Sequence, residues 1–216
     1  MIGDFLKSYD WAAAGVKFKK KFLDQFNNID GCYTVNPVHT QVDVAKVPWY
    51  EDVRLIRITD RNWDDARLAL YYLLLGENQW FRLNGTSPPI HEINAISELQ
   101  ISEEYVIDYL KFFCFFVHGD NGPFYVLESM QDSALSEGLD ESSQAHYTDL
   151  LSPAKCEGSD DKGNYKCSAV ICYSDALFHA DFEIKSSGFI EMLNDDMLDD
   201  DLPFYIDAPI VFKSLA

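Results

Sequence analysis

The chain has little positive charge, few cysteines and no long apolar run, and each shortage removes a class of protein. Seventeen Lys and Arg stand against 36 Asp and Glu, for a net charge of −19. Nucleic-acid backbones and anionic membranes are held by cations, so binding to either is not expected. The five cysteines (Cys32, Cys114, Cys156, Cys167, Cys172) are odd in number and irregular in spacing. That pattern argues against a secreted disulfide framework and for free thiols. The best apolar run, Leu68 to Leu75, stops at Gly76, far short of the roughly 18 residues of a membrane helix. Asp4 and Lys7 interrupt what would be the apolar core of a signal peptide, so the expected location is cytoplasmic.

Motifs with a defined chemistry are also missing. His91-Glu92 would open a zinc-protease helix only with a second histidine four positions after the first, and Ala95 stands there. There is no phosphate-binding glycine loop and no nucleophile elbow. Asp195-Asp196-Met197-Leu198-Asp199 has the aspartate spacing that holds magnesium and diphosphate in isoprenoid synthases. Those enzymes are larger helical folds with a second metal motif, which this chain lacks. No cofactor or closed metal-ligand set can be drawn.

What is present is core material: hydrophobic residues make up 47% of 216 residues and include 15 Phe and 12 Tyr, enough to bury a core without a metal or disulfide staple. The reading is one α+β domain over 1–216, with an antiparallel sheet of about six strands packed on a central helix at 102–118. An amphipathic helix is expected from Ile2 to Phe26, with Phe18, Phe22 and Phe26 on one face. Val53–Thr59 reads as a strand. For Asp64–Leu75 both helix and strand fit; the Gly76-Glu77-Asn78 turn before Trp80–Leu83 favours a hairpin. His91 and Glu92 are placed on a proline-fixed loop. Ser102 is expected to cap the helix through its side chain and Gly119 to end it. Residues 131–164, rich in Ser, Asp, Glu and Gly, read as a surface insertion with a short helix near Gln144–Leu151. Strands are expected at 123–128, 165–173, 176–184 and 189–193, followed by a solvated acidic turn.

Two functional readings compete. The first is a non-catalytic protein-binding module. Between residues 128 and 207 there are 19 acidic residues against four lysines, and Asp195, Asp196, Asp199, Asp200 and Asp201 crowd into seven positions. Such a face suits a basic protein partner, and self-association also remains compatible with the sequence. The second is a small metal-assisted or acid–base hydrolase. His179, Asp181 and Glu183 alternate along a strand and so share a face, with His91 and Glu92 as further candidates and His118 with Asp120 as a third polar corner.

Overall fold

The structure, a computed structural model, describes residues 4–29, 35–63, 68–131 and 139–203. The expected start of the N-terminal helix (2–3), Cys32, the 64–67 end of the hairpin segment and 132–138 of the expected insertion lie outside the described residues. The chain is α+β, and its described residues build two antiparallel sheets, of five and six strands. In chain order the first half comprises α1 (Asp4–Lys7), β1 (Ala12–Ala13), α2 (Val16–Ile29), β2 (Thr40–Lys46), β3 (Val53–Asp60), β4 (Leu70–Leu75), β5 (Gln79–Arg82), α3 (Pro88–Ile96) and α4 (Val106–Phe116). The second comprises β6 (His118–Gly119), β7 (Gly122–Val126), α5 (Glu141–Leu150), β8 (Lys155–Ser159), β9 (Tyr165–Tyr173), β10 (Ala176–Ile184) and β11 (Ile190–Asp199).

The first sheet runs β1-β2-β3-β4-β5. Alternate residues of its inner strands serve two different cores: Leu55, Tyr71 and Leu73 join one cluster, while Ile56, Tyr72 and Leu74 join another. The second cluster is closed by α2, whose Phe22 packs against Tyr72 and Trp80 at ring-centroid distances of 5.8 and 4.5 Å. A strand covered on both faces needs apolar residues at every position, which is why Leu70–Leu75 is uniformly apolar. The Gly76 turn makes the expected hairpin, with Leu75 opposite Gln79.

Helix α4 is apolar almost all round because it touches both sheets. Trp49 meets Tyr109 and Phe112, Tyr71 meets Phe116, and on the other side Phe115 meets Tyr125 of β7. Cys114 is buried within it, and burial pushes its thiol up to about 12.

Several local expectations are corrected. The N-terminal helix is broken, since Ala12 and Ala13 pair with Val44 and Asp43 and a new helix starts at Val16. The open edge of β2 satisfies the backbone there. The segment of His91 and Glu92 is a helix: Pro88 and Pro89 occupy its first two positions, where a missing N–H costs nothing. Helix α4 begins at Val106, not Ser102, and Ser102 acts through its carbonyl, which accepts from the N–H groups of Tyr105 and Val106. Gly119 lies beyond the helix end in β6; a Cβ there would collide with the Tyr173 phenol. The described part of 131–164 holds the expected short helix, α5, capped by the Asp140 carboxylate accepting from the Ser143 N–H at 2.8 Å, but also the unexpected β8, which pairs with β9. Finally, β11 continues to Asp199, so most of the expected acidic turn is strand.

Candidate functional site

The second sheet runs β11-β10-β9-β7-β6, with β8 also paired to β9. Among the described residues β11 is an edge. His179, Asp181 and Glu183 all sit on β10 at alternate positions and are half-exposed, while Ala180, Phe182 and Ile184 between them are buried. Directly opposite residues of an antiparallel pair share a face, so the β10–β11 register decides what joins them. Glu183 faces Glu191, Asp181 faces Asn194, His179 faces Asp196 and Leu177 faces Asp199. The two candidate sets therefore meet on one surface, with Asp181, Glu183, Glu191, Asp196 and Asp199 on the same face of two neighbouring strands.

The remaining acidic candidates are distributed differently. Asp195 is opposite Ala180 and so points to the other face, and Asp200 and Asp201 lie past the strand end. Asp199 is held by its surroundings: it accepts from the Asp201 N–H and lies 3.0 Å from His146 Nε2 of α5. These contacts, the backbone one foremost, hold its carboxyl below the usual carboxylate range. Lys185 is a nearby cation, 3.3 Å from Glu191 and 3.9 Å from Glu183. Lys166 on β9 lies opposite Glu183.

Two bulges break the β10–β11 ladder, one between the Asp181 and Phe182 pairs, skipping Leu193, and one between the Leu177 and Phe178 pairs, skipping Leu198. Bulges and charges are the devices by which an edge strand avoids pairing with another strand. This edge carries both, so its side chains rather than its backbone are what it offers.

None of the described cavities gathers the catalytic candidates. His91 stacks on Phe189 at 5.4 Å, next to the Ile190 that faces Ile184. His179 lies five residues from Ile184 along β10, roughly 16 Å of strand at about 3.3 Å per residue. Of the three described cavities, the largest (about 490 Å³) is lined by Lys19, His39, Asp60 and Arg61 among others, and one of about 280 Å³ by Tyr9, Lys46 and Asp108. The third, about 190 Å³, takes Glu183 with Glu157, Asp160 and Lys166, and it holds none of the other four candidates. Among the described residues no group of three or more His, Cys, Asp or Glu side chains is arranged to hold a metal ion. No helix among them is long and apolar enough to cross a membrane.

His118 lies just past the end of α4. Its Nε2 lies 3.3 Å from the Phe115 carbonyl, which favours the charged form, but desolvation is the larger effect and the imidazole is pushed down to about 4. Burial lowers His91 as well. A histidine whose folded pKa is depressed binds fewer protons folded than unfolded. Its stabilising contribution is complete above the unfolded value of about 6.5 and is lost as pH falls from there toward the folded value. Lowering the pH from 7 to 4.5 is therefore expected to cost the wild type more stability than His118→Gln. The comparison of urea midpoints between the two proteins isolates this effect from the relief of negative charge that acidification brings to both. Equal losses in the two proteins would show that His118 is not the group titrating.

The chain matches no protein-family model, no curated protein and no solved structure.

Proposed function

We propose that the chain is a protein-binding module whose β10–β11 face docks a basic segment of a partner. The observation that supports this reading is the register that gathers Asp181, Glu183, Glu191, Asp196 and Asp199 on one exposed or half-exposed face. Carboxylates two residues apart on a strand are separated by about 6.6 Å, and those on neighbouring strands by about 4.8 Å. An extended segment with Lys or Arg at every second position matches the spacing of Asp181 and Glu183 along β10. Opposed like charges would repel a second copy of the same face, so a basic partner fits it better than self-pairing does.

The test uses a synthetic peptide with Lys at alternate positions. Neutralising Asp181, Glu183, Glu191 and Asp196 to their amides is expected to weaken its binding about tenfold or more, about 1.4 kcal/mol. The control neutralises four exposed carboxylates elsewhere, Asp52, Glu77, Glu103 and Asp149. Binding to wild type should also weaken with salt, because the screening length falls from about 10 Å at 0.1 M to about 3 Å at 1 M. Equal losses in the two variants would reduce the face to a share of the general negative charge and defeat the proposal.

A further inference from the structure

We propose that Cys156 and Cys167 are a thiol-redox site that closes into a reversible cross-strand disulfide. The two residues are directly opposite in the β8–β9 ladder, so their side chains share a face. Directly opposite residues of an antiparallel pair have Cα atoms about 4.5 or 5.5 Å apart, and both values fall within the roughly 4.4–6.8 Å that a disulfide spans. Both thiols are free. Little backbone movement is needed to join them.

The two sulfurs are not equivalent. Cys156 is half-exposed, and its Sγ accepts a hydrogen bond from the Gly158 N–H at 3.3 Å. Gly158 has φ +104°, a backbone state that suits glycine, within the bulge between Cys156 and Ser159. The turn thus aims a donor at the sulfur of Cys156. Cys167 is buried, and desolvation, with its cysteine neighbour adding to it, pushes its thiol up to about 12. Cys156, the more exposed sulfur, is therefore the attacking thiol, and the buried Cys167 the resolving one. Cys114 and Cys172 are buried without such a pairing across a ladder.

With a disulfide oxidant such as oxidised glutathione the chemistry balances in two exchanges. The Cys156 thiolate attacks one glutathione sulfur, forming a mixed disulfide and expelling one glutathione thiolate, which takes up the proton Cys156 gave. The Cys167 thiol then loses its proton and attacks Sγ of Cys156, expelling the second glutathione. The protein loses two hydrogens and two electrons, and one oxidised glutathione becomes two reduced ones. The link fastens β8 to β9 beside the cavity lined by Glu157, Lys166 and Glu183. This site stands on the β8–β9 pairing alone and does not depend on the docking face.

The experiment incubates the full chain with oxidised glutathione and maps disulfides by peptide mass spectrometry without prior reduction. The expected product is the Cys156–Cys167 link, reversed by dithiothreitol. Cys167→Ala should accumulate glutathione on Cys156, and Cys156→Ser should lose both the link and the adduct at this site. A stable glutathione adduct on wild-type Cys156, or links that involve only Cys32, would overturn the proposal. So would a lack of reaction under conditions that oxidise a free dithiol peptide. The wild-type map decides the matter even if the Cys167→Ala protein fails to fold.

Discussion

Gly188→Ala is expected to destabilise the protein by roughly 2–6 kcal/mol, from about 1–3 of backbone strain and about 1–3 of overpacking. The glycine turns the chain between β10 and β11 with φ +78°, which L side chains rarely adopt. A Cβ there would also collide with the Asn94 amide and the Tyr109 hydroxyl and press on Leu99. Those neighbours cannot withdraw freely. Tyr109 donates to the Gly188 carbonyl at 2.6 Å and accepts from Asn94 at 2.8 Å, and Asn94 in turn accepts from Tyr50. The chain ties α3, α4, the loop after β2 and the β10–β11 hairpin into one polar network under the surface. Gly163→Ala separates the two causes. Gly163 has nearly the same φ, +77°, but a Cβ would meet only Ser186 Cβ at 3.7 Å. It should therefore show the backbone part alone. Urea midpoints of the two variants check this; equal shifts would mean that the network yields and overpacking contributes nothing.

Phe112→Ala is expected to cost about 3–5 kcal/mol, because a fully buried ring leaves a cavity that its neighbours only partly fill. Phe112 is completely buried and lies 5.3 Å from Trp49 and 4.8 Å from Phe116, both also fully buried. Phe113, its neighbour in α4, is only partly buried and meets His91 at 5.7 Å. Its truncation should cost clearly less, about 1–2 kcal/mol, since less area returns to water. Chemical denaturation of both variants ranks them. A Phe113→Ala cost equal to that of Phe112→Ala would contradict the burial assigned to α4.

The sequence carried those features that depend on neighbours along the chain. Leu70–Leu75 with Gly76 made a hairpin legible, and the alternation of β9 and β10 made those strands legible. The polar side chains of His179, Asp181 and Glu183 could be placed on one face by counting alone. A helix within 102–118 was readable, because Val106, Ile107, Leu110, Phe113 and Cys114 recur at helical spacing.

Contacts between distant segments decided the rest. Helix α2 starts late because Ala12 and Ala13 find the edge of β2, about 30 residues away, and pairing there overrides local helical preference. β8 was hidden because Lys-Cys-Glu-Gly-Ser has no strand signature until β9 accepts it. Cys156 and Cys167, read separately as free thiols, became partners through the same register. The acidic face is the clearest instance. Periodicity placed three polar residues on β10 and composition placed five aspartates in a run, but only the bulged β10–β11 register put Asp196 beside His179 and turned Asp195 away. A one-residue slip in a strand moves every side chain to the opposite face, so the membership of such a face is a property of pairing, which no single segment encodes.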